Sequence, residues 1–210
     1  FGGYEALAVS SNIIGLCTAG KAETRAEEDD EVVLVLDRTV FYAESGGQVG
    51  DTGFLTKGSA KIEITDCRKA GNHHIHIGRV LSGEFSVVDS VDGVVDHGVR
   101  QATALNHSAT HLLHEALRQV LGNHVEQKGS LVDSQRLRFD FSHEEAVSNE
   151  QVRRIEHLVN QEIFKNTSVS TQVMSMDDAK AMGAVALFGE KYGDEVRVVS
   201  IGGDYSVELC

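Results

Sequence analysis

The 210-residue chain has 41% hydrophobic and 24% charged side chains, proportions of a globular protein long enough for one large or two modest domains. Its formal net charge is −13, with 8 basic and 16 acidic groups in residues 1–98 and 11 and 16 in residues 99–210. Neither half suits a general nucleic-acid binder, because phosphate contacts reward lysine and arginine. No apolar run approaches the roughly 20 residues that span a bilayer and no secretory signal opens the chain, so no membrane partner is expected.

Cys17, Cys67 and Cys210 are far apart and show no paired spacing. That argues against a disulfide framework and for a reducing, cytoplasmic setting, with Cys17 and Cys67 as core thiols. Proline is absent, so turns rest on the 21 glycines together with Asn and Asp. The chain opens on Phe1 and closes on Cys210 within a strand-like run, which reads as a fragment of something longer.

From Tyr4 to about Asp96 the signals are short strands: Glu31–Asp37, Lys61–Asp66, Ile75–Val80 and Phe85–Val88. Glycine-containing turns separate them at spacings of about ten residues, the texture of a small antiparallel barrel. Glu27–Glu31 reads as a solvated turn. His74 and His76 fall on one strand face without an acid or cysteine beside them, which argues against a metal site there. Phe41–Asp51 holds glycines at 46, 47 and 50, which allow either a tight turn or close backbone approach to a ligand. It lacks the Lys-Ser/Thr ending of a phosphate-binding loop.

Near Val99 the period changes. Thr103–Leu121 places Leu105, Ala109, Leu112, Leu113, Ala116, Leu117, Val120 and Leu121 at helical spacings, with Asn106 as a candidate cap and Gly122 as a stop. Strands are expected at Gly129–Val132 and Leu137–Phe141. A helix should follow over Asn149–Phe164, with Val152, Ile155, Leu158, Val159 and Ile163 inward. A strand over Ser168–Met174, a short helix over Met176–Met182, and strands over Glu195–Ile201 and Tyr205–Leu209 complete the chain. The fold class is α+β: a small antiparallel β-barrel over residues 1–98, then an α+β domain over 99–210 with helices packed on an antiparallel sheet.

His107 and His111 lie four apart on the first helix, so both imidazoles leave one face and suit two ligands of a single metal ion. The glutamate base of the His-Glu-x-x-His proteases is missing, so peptide hydrolysis of that kind is not implied. His114, three residues on, is a competing donor. Cys210, at the end of a strand, is a candidate third ligand because a thiolate suits zinc. No Ser-His-Asp order or carboxylate pair offers covalent chemistry instead.

The runs Asn106–His114, Val125–Val132, Leu137–His143, Phe41–Asp51 and Ala186–Tyr192 together resemble the editing region of alanyl-tRNA synthetases of the bacterial type, end to end and in family order. The resemblance implies an aminoacyl-tRNA deacylase that clears tRNA(Ala) mischarged with serine or glycine. The family's zinc ligands map to His107, His111 and Cys210. The fourth, a histidine, would fall four residues beyond Cys210, which puts the truncation just after that cysteine. The same resemblance implies catalytic roles for Gln127, Thr110 and Lys128, and substrate contacts at Ser45, Gly46, Gly47, Gln48 and Ser130. Expected partners are mischarged tRNA(Ala) and the rest of the synthetase, whose aminoacylation part would use ATP and magnesium. A free-standing trans-editing deacylase and a non-catalytic tRNA-binding or interdomain module are the competing readings.

Overall fold

The nine strands that open the chain are β1 (Ala8–Thr18), β2 (Lys21–Ala22), β3 (Arg25–Glu27), β4 (Glu31–Leu36), β5 (Gly53–Lys57), β6 (Ala60–Ala70), β7 (His73–Ser82), β8 (Glu84–Ser86) and β9 (Ser90–Val95). The computed structural model describes residues 1–186 and 193–210. The chain divides into two units, Phe1–Thr103 and Ala104–Cys210.

In the first unit the sheet runs β2-β1-β4-β7-β6-β5-β9, and β9 pairs back onto β1. Six antiparallel strands therefore close into a barrel, which leaves no edge among them. Alternation explains the filling: in β4, Val32, Leu34 and Leu36 point inward, and in β6, Ala60, Ile62 and Ile64 do the same. Phe41, Leu55, Phe85 and Val80 complete an interior with essentially no exposure. The barrel agrees with the turn spacing, but β1, β5 and β9 were not individually legible. The expected strand Phe85–Val88 is shorter: β8 ends at Ser86, and Val88 has φ +76° and is largely exposed in a turn.

The first helix, α1 (His97–Leu121), starts six residues before the apolar periodicity does. Asn106 is therefore not its cap. Asp96 is: its Oδ1 accepts from the Val99 amide at 3.0 Å. Asn106 lies within the helix and donates its side-chain amide to the Asp133 carbonyl at 2.8 Å. Gly122 ends the helix at φ +119°, a conformation that favours glycine.

The second unit continues with β10 (Gln127–Val132), β11 (Leu137–Phe141), α2 (Asn149–Lys165), β12 (Val169–Ser175), α3 (Met176–Ala181), β13 (Glu195–Ile201) and β14 (Ser206–Leu209). β10 and β11 form a hairpin, and β12-β13-β14 form an antiparallel sheet. Ala116 and Leu117 of α1 pack with Ile155 of α2 and with Phe139 and Phe141 of β11. Leu112 meets Val199 and Ile201 of β13, so α1 lies on the three-stranded sheet. Ala179 of α3 packs with Val196, Val198 and Leu209.

Ser148 caps α2 with a reciprocal capping box to Gln151. Of the residues expected inward on α2, Ile155 is buried, and Leu158 and Val159 are partly so. Val152 and Ile163 are 41% and 50% exposed, which corrects that expectation. The position taken instead is Glu162, buried with its carboxylate accepting from Lys165 Nζ at 2.5 Å. Among the described residues, no helix is long and apolar enough to cross a membrane.

Candidate metal centre

α1 sets the frame for this site. Residues 107, 111, 114 and 118 follow helical spacings of four, three and four, so one stripe carries His107, His111, His114 and Arg118. The His107 and His111 rings stack with centroids 4.9 Å apart and an interplanar angle of 23°. β14 supplies the other half. Its period of two puts Ser206, Glu208 and Cys210 on one side and Val207 and Leu209, which pack with α3, on the other. The Cys210 amide donates to the Arg197 carbonyl at 2.9 Å and fixes the residue at the strand's end.

His107, His111 and Cys210 thereby converge. One donor atom from each lies within 4.8 Å of the others, and Cys210 Sγ is 3.3 Å from His107 Nε2. A tetrahedral zinc bound by nitrogen and sulfur holds its ligand atoms about 3.3–3.6 Å apart, so the Cys210–His107 pair is already at that spacing and the widest pair must close by more than about 1 Å. His111 Nε2 is buried with no hydrogen-bond partner among the described residues. Two imidazoles and one thiol, three donors in all, suit a soft or borderline cation.

His114 does not join the triad. Glu208, only 3% exposed, accepts from both neighbouring rings: His111 Nδ1 at 2.7 Å on Oε2 and His114 Nδ1 at 3.0 Å on Oε1. Ser206 Oγ adds a 3.4 Å contact to Oε1. Burial works to raise the Glu208 pKa, but the two imidazole donors outweigh it and hold the carboxyl near 2. Burial likewise opposes charge on His111, yet the neighbouring Cys210 and Glu208 lift it to about 9. For Cys210, burial favours the thiol, and His107 and His111 overcome it to bring the pKa to about 5. At neutral pH the set thus holds a thiolate and a proton on His111, and an incoming cation must displace that proton.

A cleft of about 170 Å³ lies one turn further along α1. His114, Arg118, Asn123, Glu126 and Gln127 supply its polar wall. It is smaller than the roughly 300–1,000 Å³ of typical ligand pockets and admits a small group.

Of the residues singled out from the sequence, Gln127 lines this cleft. Lys128 is exposed and pairs with Glu126 at 2.9 Å. Thr110 is buried, and its hydroxyl donates to the Asn106 carbonyl one turn back at 2.8 Å. Ser130 lies in β10 opposite Phe139 of β11. Ser45, Gly46, Gly47 and Gln48 belong to the first unit and form a tight turn, with Ser45 and Gln48 exchanging backbone hydrogen bonds at 3.2 and 3.0 Å. Gly46 and Gly47 take φ of +59° and +85°, the requirement of a type I′ turn. The Ala186–Tyr192 run has its last six residues outside the described residues.

Glu208 was missed. The available signal was its place two residues before Cys210 in a short strand, which puts a carboxylate on the side of the thiol.

The family model for class II tRNA synthetases (A) matches residues 1–99. The chain is also similar along its whole length to alanine–tRNA ligases. It is 57% identical over 210 residues to those of Pseudomonas entomophila (strain L48) and Pseudomonas savastanoi pv. phaseolicola, and 55% identical to that of Saccharophagus degradans. In each case it covers 100% of this chain and 24% of the relative, so the chain spans about a quarter of the relatives it matches.

Proposed function

We propose that this chain is the editing region of an alanine–tRNA ligase and hydrolyses the ester of serine or glycine wrongly attached to tRNA(Ala). The observation that carries the reading is the convergence of one donor atom each from His107, His111 and Cys210, with His111 Nε2 buried and without a hydrogen-bond partner among the described residues. Identity of 55–57% over every residue of the chain supports the ligase rather than a free-standing deacylase as its source. The larger protein would attach alanine to tRNA(Ala) with ATP and magnesium.

An aminoacyl ester is already activated, so its hydrolysis needs a placed water and stabilisation of the tetrahedral oxyanion. His107 and His111 through imidazole nitrogens and Cys210 through sulfur would hold zinc, which supplies a Lewis acid when bound. The remaining work falls to the chain. Gln127 presents an amide at the cleft, able both to donate and to accept, and Arg118 places a cation on the same wall.

Selectivity follows from polar contacts. An apolar pocket rejects an added hydroxyl by only about a hundredfold, whereas a wall that hydrogen-bonds the hydroxyl rewards serine over alanine. Arg118, Asn123 and Gln127 are groups of that kind.

Deacylation of Ser-tRNA(Ala) tests the reading. The chain, a form extended past Cys210 and a His107→Ala/His111→Ala form are compared. Hydrolysis that disappears with the two substitutions supports an editing hydrolase. No hydrolysis in any form supports the non-catalytic module, to which the net charge of −13 gives some weight.

A further inference from the structure

We propose that Glu208 is the positioning residue of the metal centre, a two-armed carboxylate that fixes the tautomers of His111 and His114 together. The inference rests on the metal-centre reading above and concerns how one ligand is aimed.

A carboxylate only accepts hydrogen bonds. Because Oε2 takes His111 Nδ1 and Oε1 takes His114 Nδ1, both rings carry a proton on Nδ1. In a neutral imidazole the lone pair is then left on Nε2. For His111 that is the buried atom without a partner among the described residues, in the ring that belongs to the triad. The carboxylate thus decides which nitrogen is offered to a cation and holds the ring plane that aims it. A ligating histidine whose other nitrogen is held in this way is a stronger and better oriented donor.

The second arm explains why His114 is there. It lies three positions after His111, so both Nδ1 atoms reach one carboxylate. Its ring packs on Phe139 with centroids 5.1 Å apart and forms part of the cleft wall. Its Nε2 is also buried without a partner among the described residues. Two donors and the Ser206 hydroxyl satisfy a carboxylate that would otherwise be stranded in the core, and they anchor β14 to α1. One residue therefore sets the orientation of a metal ligand and of a cleft wall.

A purely structural tie between strand and helix is the competing explanation, and metal affinity separates the two. Cobalt(II) titration, read by the thiolate-to-metal absorption, and zinc competition with a chelator are run on the wild-type chain, Glu208→Gln, Glu208→Asp and His114→Phe. The expected result is that Glu208→Gln lowers affinity about 10–100-fold. Glu208→Asp recovers part of the loss, and His114→Phe, which keeps the ring but not the donor, loses far less. A folded Glu208→Gln chain that binds as the wild type does overturns the inference while leaving the metal centre in place. A wild-type chain that takes up neither metal overturns the metal centre and this inference with it. A further check needs no substitution: nitrogen-15 correlation spectra of the zinc-loaded wild type should show protons on Nδ1 of both rings. An Nδ1 without a proton in either ring overturns the proposal.

Discussion

Arg100 and Asp51 form a forked ion pair in which both side chains are largely withdrawn from water, 17% and 6% exposed. Arg100 Nε donates to the two carboxylate oxygens at 2.8 and 3.1 Å, and Nη2 donates to Asp51 as well. The same guanidinium donates to the Gly3 carbonyl at 2.6 Å and the Val40 carbonyl at 2.9 Å. Asp51 in turn accepts from the Tyr42 amide at 2.6 Å. Removing the cation leaves a buried carboxylate without its counter-ion. Arg100→Met is expected to cost about 3–5 kcal/mol in urea unfolding. Arg100→Met/Asp51→Leu, which removes both charges, should recover much of that loss.

His76 gives the barrel a pH dependence of definite sign. Its ring is fully buried, with Nε2 2.8 Å from Thr39 Oγ1 and Nδ1 3.3 Å from the Leu34 carbonyl. Burial lowers its pKa from 6.5 to about 4, against the Leu34 hydrogen bond, which raises it. The unfolded chain therefore binds this proton first as pH falls. Stability is unaffected by this group above the unfolded pKa and falls between about pH 6.5 and 4, the loss reaching about 3 kcal/mol at the acid end. Urea midpoints measured across that range should fall more steeply in the wild type than in His76→Gln. Equal slopes would remove His76 as the cause.

Gly50 has a packing role within the glycine run. A Cβ placed there would meet the Cys67 carbonyl oxygen at 2.2 Å and the Cys67 nitrogen at 2.7 Å, both backbone atoms of β6. Backbone cannot rotate away as a side chain does. Gly50→Ala is expected to cost roughly 1–3 kcal/mol or somewhat more. Gly2→Ala, with nothing within 4 Å of its Cβ, is the control and should leave thermal unfolding nearly unchanged.

These three sites show which parts of the chain were legible in sequence. Strand alternation and turn spacing are local, so the barrel could be read without knowing its closure. The His107/His111 pair was equally local. Cys210 lies 103 positions from His107, and no pattern joins them until β14 lies beside α1. Glu208 was hidden for the same reason, since a strand acid reads as solvated until its two imidazole donors are known. The start of α1 was misplaced because its first turn holds Gly98 and Val99, which give no apolar stripe, while the Asp96 cap was passed over. Val152 and Ile163 were assigned inward by period alone, but a helix face is wider than the partner that covers it.

Alkylation of the thiols should separate them by chemistry and by metal. Cys67 is buried, and burial together with the Asp51 and Asp66 charges pushes its thiol up to about 12. It should resist iodoacetamide in the native protein with or without zinc. Cys210 should react readily in metal-free protein and be protected by stoichiometric zinc, measured by mass spectrometry of the peptides. Equal labelling of Cys210 with and without zinc would argue against its being a ligand.

Gln127 and Lys128 are adjacent but differ in what surrounds them, and that difference yields the sharpest test of the proposed chemistry. Gln127 lines the cleft, whereas Lys128 is exposed and paired with Glu126. Exposed pairs of that kind contribute little, about 0–1 kcal/mol. One hydrogen bond lost from a substrate contact is worth about 0.5–1.5 kcal/mol, or roughly a two- to twelvefold effect. Gln127→Ala should therefore lower kcat/KM for Ser-tRNA(Ala) deacylation by roughly that factor, and by more if the amide meets developing charge. Lys128→Ala should change it by less than about threefold if its only role is the surface pair. Both variants are to be measured in the form extended past Cys210, with zinc content determined alongside. Loss of activity in Lys128→Ala at unchanged zinc content would move the proposed catalytic role from the amide to the ammonium group.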